Sequence, residues 1–114
     1  MLQLNAGTKY YLYQQPVDMR KGSYGLCGVV NNEMRHNILL RDVFVFLNKK
    51  RSTIRLLQWD GDGFSLYEKK LAKGTFERKH EGDNGVVLLT HYQLQCILQG
   101  IILESIRFKR RYCR

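Results

Sequence analysis

A chain of 114 residues is long enough for one hydrophobic core but not for two. It has no run near the roughly 18 apolar residues of a membrane helix, and its N-terminus lacks the charged-then-apolar pattern of a secretory signal. We therefore expect one soluble cytoplasmic domain. Lys and Arg total 19 against 10 acidic residues, for a net charge of +9. This balance is typical of proteins that bind a polyanion such as nucleic acid, although many small cytosolic domains are basic without a specific ligand.

The N-terminal third predicts a strand and then a helix. Residues 1–8 are expected to be a loose entry, and the aromatic residues in 9–13 favour a β-strand. Pro16 prevents this strand from continuing. Asp18 is a typical N-cap residue, so we expect a helix over residues 19–34. Its apolar stripe falls at helical spacing, at Leu26, Val29, Val30 and Met34.

The middle of the chain predicts a β-hairpin. Val43–Leu47 has no polar alternation and is typical of a strand buried on both faces. A connector at 37–41 precedes this strand, and a basic turn at 48–51 leads into a second strand over 52–59. Asp-Gly pairs at residues 60–63 then indicate a tight turn. A two-residue loop at 61–62 would place Trp59 opposite Phe64, Leu57 opposite Leu66 and Arg55 opposite Glu68.

The C-terminal third predicts a loop, a helix and a basic tail. Residues 80–85 are polar, and Thr90 is expected to cap a helix over residues 91–99 that Gly100 ends. His91 is expected to be exposed or part of the cap. Residues 104–114 are expected to be loose, with five basic residues in the last eight. These elements together predict the α+β class, a single domain with an antiparallel β-meander packed by two helices.

Four motifs occur together in this order: residues 18–22 (DMRKG), Val45 and Phe46 before the basic turn, residues 56–64 (LLQWDGDGF) and residues 71–76 (LAKGTF). With them the chain resembles the TnpB accessory proteins of the insertion-sequence-66 class of bacterial transposable elements, which are unrelated to the RNA-guided nucleases of the same name. The resemblance covers residues 18–100. Tyr24 departs from it, because the family often has an acidic residue there. It implies an accessory role in transposition beside a DDE transposase and brings no catalytic mechanism.

Two groups of cations are candidate DNA contacts. Arg20 and Lys21 follow a predicted helix N-cap, where free N–H groups and cations favour phosphate; the alternative is that Arg20 pairs with Asp18 or Asp60. The second group surrounds the 48–51 turn, where a basic hairpin tip fits a DNA groove, while a solvated turn explains the same charges. It comprises Lys49, Lys50, Arg51, Arg55, Lys69, Lys70 and Lys73.

Asp60, Gly61, Asp62 and Gly63 have two interpretations. Paired carboxylates can hold Mg²⁺ for phosphoryl transfer, and the tight turn itself requires these residue types. Only Asp18 offers an obvious third carboxylate, so we predict a structural turn, with no catalytic residue and no metal or cofactor. The three cysteines lack zinc-ligand spacing and are expected to be reduced.

The predicted register places the basic turn and the acidic turn at opposite ends of the sheet. DNA, expected to be the ends of the element, would then approach the basic end, and the acidic end would be free for a basic partner such as the transposase. Trp59, Phe64 and Tyr67 have two interpretations, stacking on unpaired bases or packing in the core or an interface. A chain that docks on the transposase and touches DNA only weakly is the alternative function. A homodimer through free strand edges stays open.

Overall fold

The computed structural model describes residues 7–76 and 85–99, which form five strands and two α-helices. A five-residue π-helical segment, Val29–Glu33, continues the first helix, and a short 3-10 turn, Ile38–Leu40, precedes the second strand. The main elements in chain order are β1 (Tyr10–Tyr13), α1 (Ser23–Gly28), β2 (Val43–Leu47), β3 (Thr53–Trp59), β4 (Phe64–Lys70), β5 (Val86–Leu89) and α2 (His91–Leu98).

One sheet contains all five strands in the order β4-β3-β2-β1-β5. Strands β2, β3 and β4 form an antiparallel meander, and β5 pairs antiparallel with β1. Strand β1 runs parallel to β2, because the chain crosses over through α1 before it re-enters the sheet. The predicted α+β class is confirmed, and the parallel pair is an addition that the strand signals did not contain.

The hairpin prediction is confirmed in its register. Trp59 pairs with Phe64, Leu57 with Leu66 and Arg55 with Glu68. The Asp60 N–H donates to the Gly63 carbonyl at 2.7 Å and closes the turn. The seven cross-strand pairs and the turn residues favour the same register. The local sequence was therefore enough to predict the hairpin.

Both faces of the sheet are covered. On one face, a cluster under α1 contains Leu26, Val30, Phe44 and Phe46 together with the sheet residue Leu57. On the other face, a second cluster packs the sheet against Phe76 and α2, whose Leu94 and Ile97 are fully buried. All five residues of β2 are buried, which confirms a strand covered on both faces.

The predicted helix over residues 19–34 begins four residues late, and the predicted N-cap at Asp18 is wrong. Gly22 is the N-cap and makes no side-chain cap bond. Asp18 instead accepts a hydrogen bond from the Arg20 backbone N–H at 2.9 Å, an Asx turn that competes with helix capping. Leu26, Val30 and Met34 are buried as the apolar stripe predicts.

The second helix begins as predicted. The Thr90 side chain accepts from the Gln93 N–H, and the Gln93 side chain accepts from the Thr90 N–H, which together make a capping box. His91 Nδ1 lies 3.0 Å from the Tyr10 hydroxyl. Cys96 is buried and Cys27 half-buried, and burial raises the pKa of the Cys27 thiol. No helix in residues 7–76 and 85–99 is long and apolar enough to cross a membrane.

Several predictions fall outside the described residues. These are most of the loose entry at 1–8, most of the loop at 80–85, the helix stop at Gly100, the thiol of Cys113 and the basic tail at 104–114.

Candidate nucleic-acid interface

Five cations lie at the end of the sheet where β2 turns into β3 and β4 finishes. We call this the basic end: Lys49, Lys50, Arg51, Lys70 and Lys73. Two backbone hydrogen bonds hold the segment after β4 against the turn. Leu71 N–H donates to the Ser52 carbonyl at 2.8 Å, and Phe76 N–H donates to the Arg51 carbonyl at 2.6 Å. Because Lys73 lies between these two anchors, the structure gathers both cationic segments at one place.

The turn that carries Lys49, Lys50 and Arg51 is built around Asn48. Its Oδ1 accepts from the N–H groups of Ser52 and Thr53 at 2.9 and 3.1 Å, and its Nδ2 donates to Ser52 Oγ at 3.1 Å. Arg51 has φ +56, a left-handed conformation that is uncommon for a residue other than glycine. The exposed lysines 49 and 50 therefore project from a turn whose backbone is fixed by side-chain hydrogen bonds.

Arg20 is bound to Asp18. Its Nη2 and Nε donate to the Asp18 carboxylate at 2.7 and 3.1 Å. This hydrogen bonding, followed by the charge of Arg20, lowers the pKa of Asp18 to about 2. Arg20 therefore pairs with Asp18, as the alternative interpretation predicted. The Arg20 side chain is still 91% exposed and retains surface for a phosphate.

Arg55 and Lys69 are held by contacts inside the protein. Arg55 donates from Nε to Glu68 and from Nη1 to the Lys21 carbonyl at 2.6 Å, and its side chain is 14% exposed. Lys69 Nζ donates to the Leu98 carbonyl at the end of α2 at 2.8 Å. These bonds join β3 to the segment before α1 and β4 to α2. Both residues therefore have a structural role, and their contact with DNA stays a prediction.

Lys70 and Lys21 differ from those two residues in exposure. The Lys70 side chain is 71% exposed and lies 3.8 Å from Glu68, a loose contact for a charge that Glu68 shares with Arg55. Lys21 is exposed, and its backbone carbonyl is tied to Arg55. The hairpin register places the side chains of Arg55 and Lys70 on the same face of the sheet, the one that α1 covers. Lys21 is thus close to β3 on the face where Lys70 emerges.

Residues 60–63 form the acidic turn at the opposite end of the sheet. Gly61 has φ +91, and a Cβ there would lie 2.7 Å from Arg41 Nη2. Ser65 Oγ donates to Asp60 Oδ2 at 3.4 Å. Within residues 7–76 and 85–99 no three His, Cys, Asp or Glu side chains are grouped to hold a metal ion. The positive φ supports the structural interpretation of this turn.

The aromatic pair beside the acidic turn packs across the hairpin and is half-buried. The Trp59 and Phe64 rings lie 4.9 Å apart at 66°, and Tyr24 meets Phe64 edge-on with centroids 6.4 Å apart. Phe64 also packs against the cluster under α1. Tyr24 itself is 86% exposed. The predicted cross-strand pair of Trp59 and Phe64 is confirmed, and stacking on unpaired bases stays a prediction. Tyr67 is exposed on the other face of β4.

A polar cleft beside the basic turn was not predicted. The amide side chains Gln14, Gln15 and Asn48 line it with Tyr13, Pro16, Leu47, Lys49 and Arg51. Residues 14–16 reach this position because β1 runs parallel to β2, so both strands end at the basic end. The only sequence signal was the run Gln14-Gln15-Pro16 directly after a strand, and it has no meaning without the parallel pairing.

A family model described as "IS66 Orf2 like protein" matches residues 8–108. The chain belongs to the IS66 Orf2-like family. The match extends on both sides of the residues that carry the resemblance. It supports the assignment of the chain as a transposition accessory protein.

Two proteins of Sinorhizobium fredii (strain NBRC 101917 / NGR234) are similar to this IS66 Orf2-like chain. "Uncharacterized protein y4jC" is 34% identical over 76 residues, which are 67% of this chain and 65% of that protein. The chain thus spans slightly less than two thirds of that relative's length. "Uncharacterized protein y4hO" is 28% identical over 101 residues, 89% of this chain and 87% of that protein. No solved structure matches the chain.

Proposed function

We propose that this IS66 Orf2-like protein is a non-catalytic DNA-binding factor that assists the DDE transposase of its element. The observation that carries the proposal is the gathering of Lys49, Lys50, Arg51, Lys70 and Lys73 at one end of the sheet. Asp60 and Asp62 lie at the opposite end. The seven residues of β3 separate the two ends by roughly 20 Å, more than a Debye length at physiological salt. Of these two turns, the basic one therefore attracts a polyanion, while Arg41 offsets part of the charge at the acidic one.

The shape of the basic end supports contact with duplex DNA. The strands β2 and β3 lie inside the five-stranded sheet, so the contact would be made by the turn that joins them, which presents two exposed lysines suited to the phosphate backbone. Lys70 and Lys73 flank this turn and are suited to neighbouring phosphates. Of the amides that line the polar cleft, Gln15 is half-buried and of the kind that hydrogen-bonds to base edges, whereas the Asn48 amide is bonded within the turn.

A fluorescence-anisotropy titration tests the proposal. The labelled duplex carries the terminal repeat of the element, and a scrambled duplex of the same length and composition is its control. Each phosphate neutralised contributes about 0.9 to the slope of log affinity against log salt. Contacts by most of the basic end therefore predict a slope of about −3 to −5. Repeat-selective binding supports recognition of element ends. A slope near zero, or no binding to either duplex, would contradict the proposal.

The second candidate function is docking on the transposase with only weak DNA contact. Tyr24, exposed beside Phe64, and the exposed carboxylate of Asp62 favour it, because they offer an aromatic and an acidic contact for a basic partner. Binding of the transposase that is lost in Tyr24→Ala and Asp62→Lys variants, with repeat DNA bound weakly and without selectivity, supports this candidate. Retention of transposase binding in both variants counts against it.

A further inference from the structure

Strand β4 is a long edge strand. It pairs with β3 on one side over seven residues, and no described strand pairs with its other side. The opposite edge of the sheet, β5, has four residues. A long unpaired edge presents a row of backbone donors and acceptors to which another strand can pair. Leu66 and Tyr67, at the middle of β4, are 40% and 39% exposed, so apolar surface is available on both faces of this edge.

The hydrogen-bond alternation shows which residues offer those groups. Gly63 is bonded to Asp60 at one end of the hairpin, and Leu71 is bonded to Ser52 at the other. Bonded and non-bonded pairs alternate along an antiparallel ladder. The odd-numbered residues of β4 therefore bond to β3. The outward backbone groups belong to Phe64, Leu66, Glu68 and Lys70.

We infer that β4 pairs antiparallel with β4 of a second copy of this chain, about a two-fold axis at Tyr67. Charge favours a second copy in this orientation. One end of β4 follows the acidic turn and the other leads into Lys70 and Lys73, so antiparallel pairing brings the acidic turn of each copy next to the basic end of the other. Parallel pairing would put like charges side by side.

The two-fold axis at Tyr67 uses the whole strand, because Tyr67 is the midpoint of Phe64–Lys70. It places Leu66 opposite Glu68 of the partner subunit and Phe64 opposite Lys70 of the partner subunit, and each such pair exchanges two backbone hydrogen bonds. Tyr67 meets Tyr67 of the partner subunit in a closely spaced, non-bonded pair. No like charges are directly opposite. The product is a continuous ten-stranded sheet across two copies of the five-stranded one.

Two measurements on the full chain test the dimer: sedimentation equilibrium over a wide range of protein concentration, and amide hydrogen exchange followed by NMR. The expected mass rises with concentration from 13.5 kDa to twice that value. Exchange of the Leu66 and Glu68 amides slows in parallel, because they become bonded only in the dimer. The Leu88 amide is the control, since it points outward from β5 by the same alternation, set there by the bond between Gln14 and Gly85.

Matched proline variants locate the interface. Leu66→Pro and Leu88→Pro each remove one outward N–H from an edge strand without removing a bond of the existing ladder. Leu66→Pro should raise the dissociation constant of the dimer about tenfold or more, because both copies lose a hydrogen bond. Leu88→Pro should leave it unchanged.

A charge pair at residue 67 tests the register and remains informative if Leu66→Pro fails to fold. Tyr67→Lys and Tyr67→Glu each put like charges together at the two-fold axis and should be monomeric. Mixing the two variants should restore a dimer of mixed composition. A chain that stays monomeric at all concentrations overturns the inference. If the Leu66 and Glu68 amides are protected in that monomer, the chain's own residues cover the edge. A dimer sensitive to Leu88→Pro but not to Leu66→Pro assigns the interface to β5 instead.

Discussion

Individual side-chain contacts divide the cations of this protein into two kinds. Arg55 and Lys69 donate to groups inside the protein and connect elements of the fold. Lys49, Lys50 and Lys70 extend into solvent. The predicted register already places the neighbours Lys69 and Lys70 on opposite faces of β4, but it does not show that the end of α2 lies beside Lys69. Only strand parity, which directs one to α2 and the other to the α1 face, distinguishes them.

The ion pair between Arg20 and Asp18 changes the pKa of the Asp18 carboxyl, which can be measured. The hydrogen bonds and charge of Arg20 lower the pKa of Asp18 from 3.8 to about 2. Arg20→Gln should return this pKa toward its ordinary value, measured by NMR titration of the carboxyl carbon. A lowered pKa stabilises the fold above the unfolded-state pKa and loses that effect as pH falls through the folded-state value. The stability advantage of the wild type over Arg20→Gln should therefore be present at neutral pH and vanish between about pH 4 and pH 2. An unchanged Asp18 pKa in Arg20→Gln would contradict the assignment.

Gly61 and Gly63 offer a matched pair in one turn. Gly61 has φ +91, whereas Gly63 has no positive φ, and a Cβ at Gly63 would meet no atom within 4 Å. Gly61→Ala should lower the free energy of unfolding by about 1–2 kcal/mol, because an L-residue is strained in that conformation. Gly63→Ala should change it by less than about 0.5 kcal/mol. Urea unfolding of both variants measures the difference, and equal effects would show that backbone conformation does not govern the turn.

At the scale of elements, the β3–β4 hairpin followed from the sequence in full detail. Its turn residues, its cross-strand pairs and its alternation all favour one register, and the structure has that register. The start of α1 did not follow, because Asp18 has two competing local options, capping a helix or closing an Asx turn. Arg20, placed two residues later, provides both a backbone and a side-chain donor and favours the turn.

The link between β4 and α2 gives a prediction at this scale. Lys69 Nζ binds the Leu98 carbonyl at the end of α2, whereas Lys70 is exposed. Lys69→Met should lower the free energy of unfolding by about 1–3 kcal/mol, the range for a hydrogen bond to a charged group. If Lys69 acts only through the fold, Lys69→Met should leave DNA affinity within about twofold of the wild type. Lys70→Met should instead lower DNA affinity by removing a phosphate contact and leave the free energy of unfolding nearly unchanged. Thermal unfolding measures the stability of both variants, and fluorescence anisotropy measures their DNA affinity on the same samples. A loss of affinity in Lys69→Met at unchanged stability would contradict the structural role.

At the scale of the whole molecule, the fold separates a basic turn from an acidic turn. The antiparallel hairpin places the basic and acidic turns at opposite ends, as the sequence predicted. The parallel pairing of β1 with β2, which brings residues 14–16 to the basic end, was not predictable. It depends on how the chain crosses over between two strands that are about thirty residues apart in sequence, and no local pattern encodes that path.

A matched charge reversal tests the polarity of the molecule most directly. Lys49→Glu with Lys50→Glu changes two exposed cations at the basic end. Lys9→Glu with Arg35→Glu makes the same change in net charge at exposed cations outside that end. The measurement is the affinity of both double variants and the wild type for terminal-repeat duplex across a salt series. We predict that the first pair lowers affinity at least about tenfold and reduces the salt slope by about 2, while the second pair has a much smaller effect on both. Equal losses in the two variants would mean that net charge alone drives binding, and would contradict a DNA interface at the basic end.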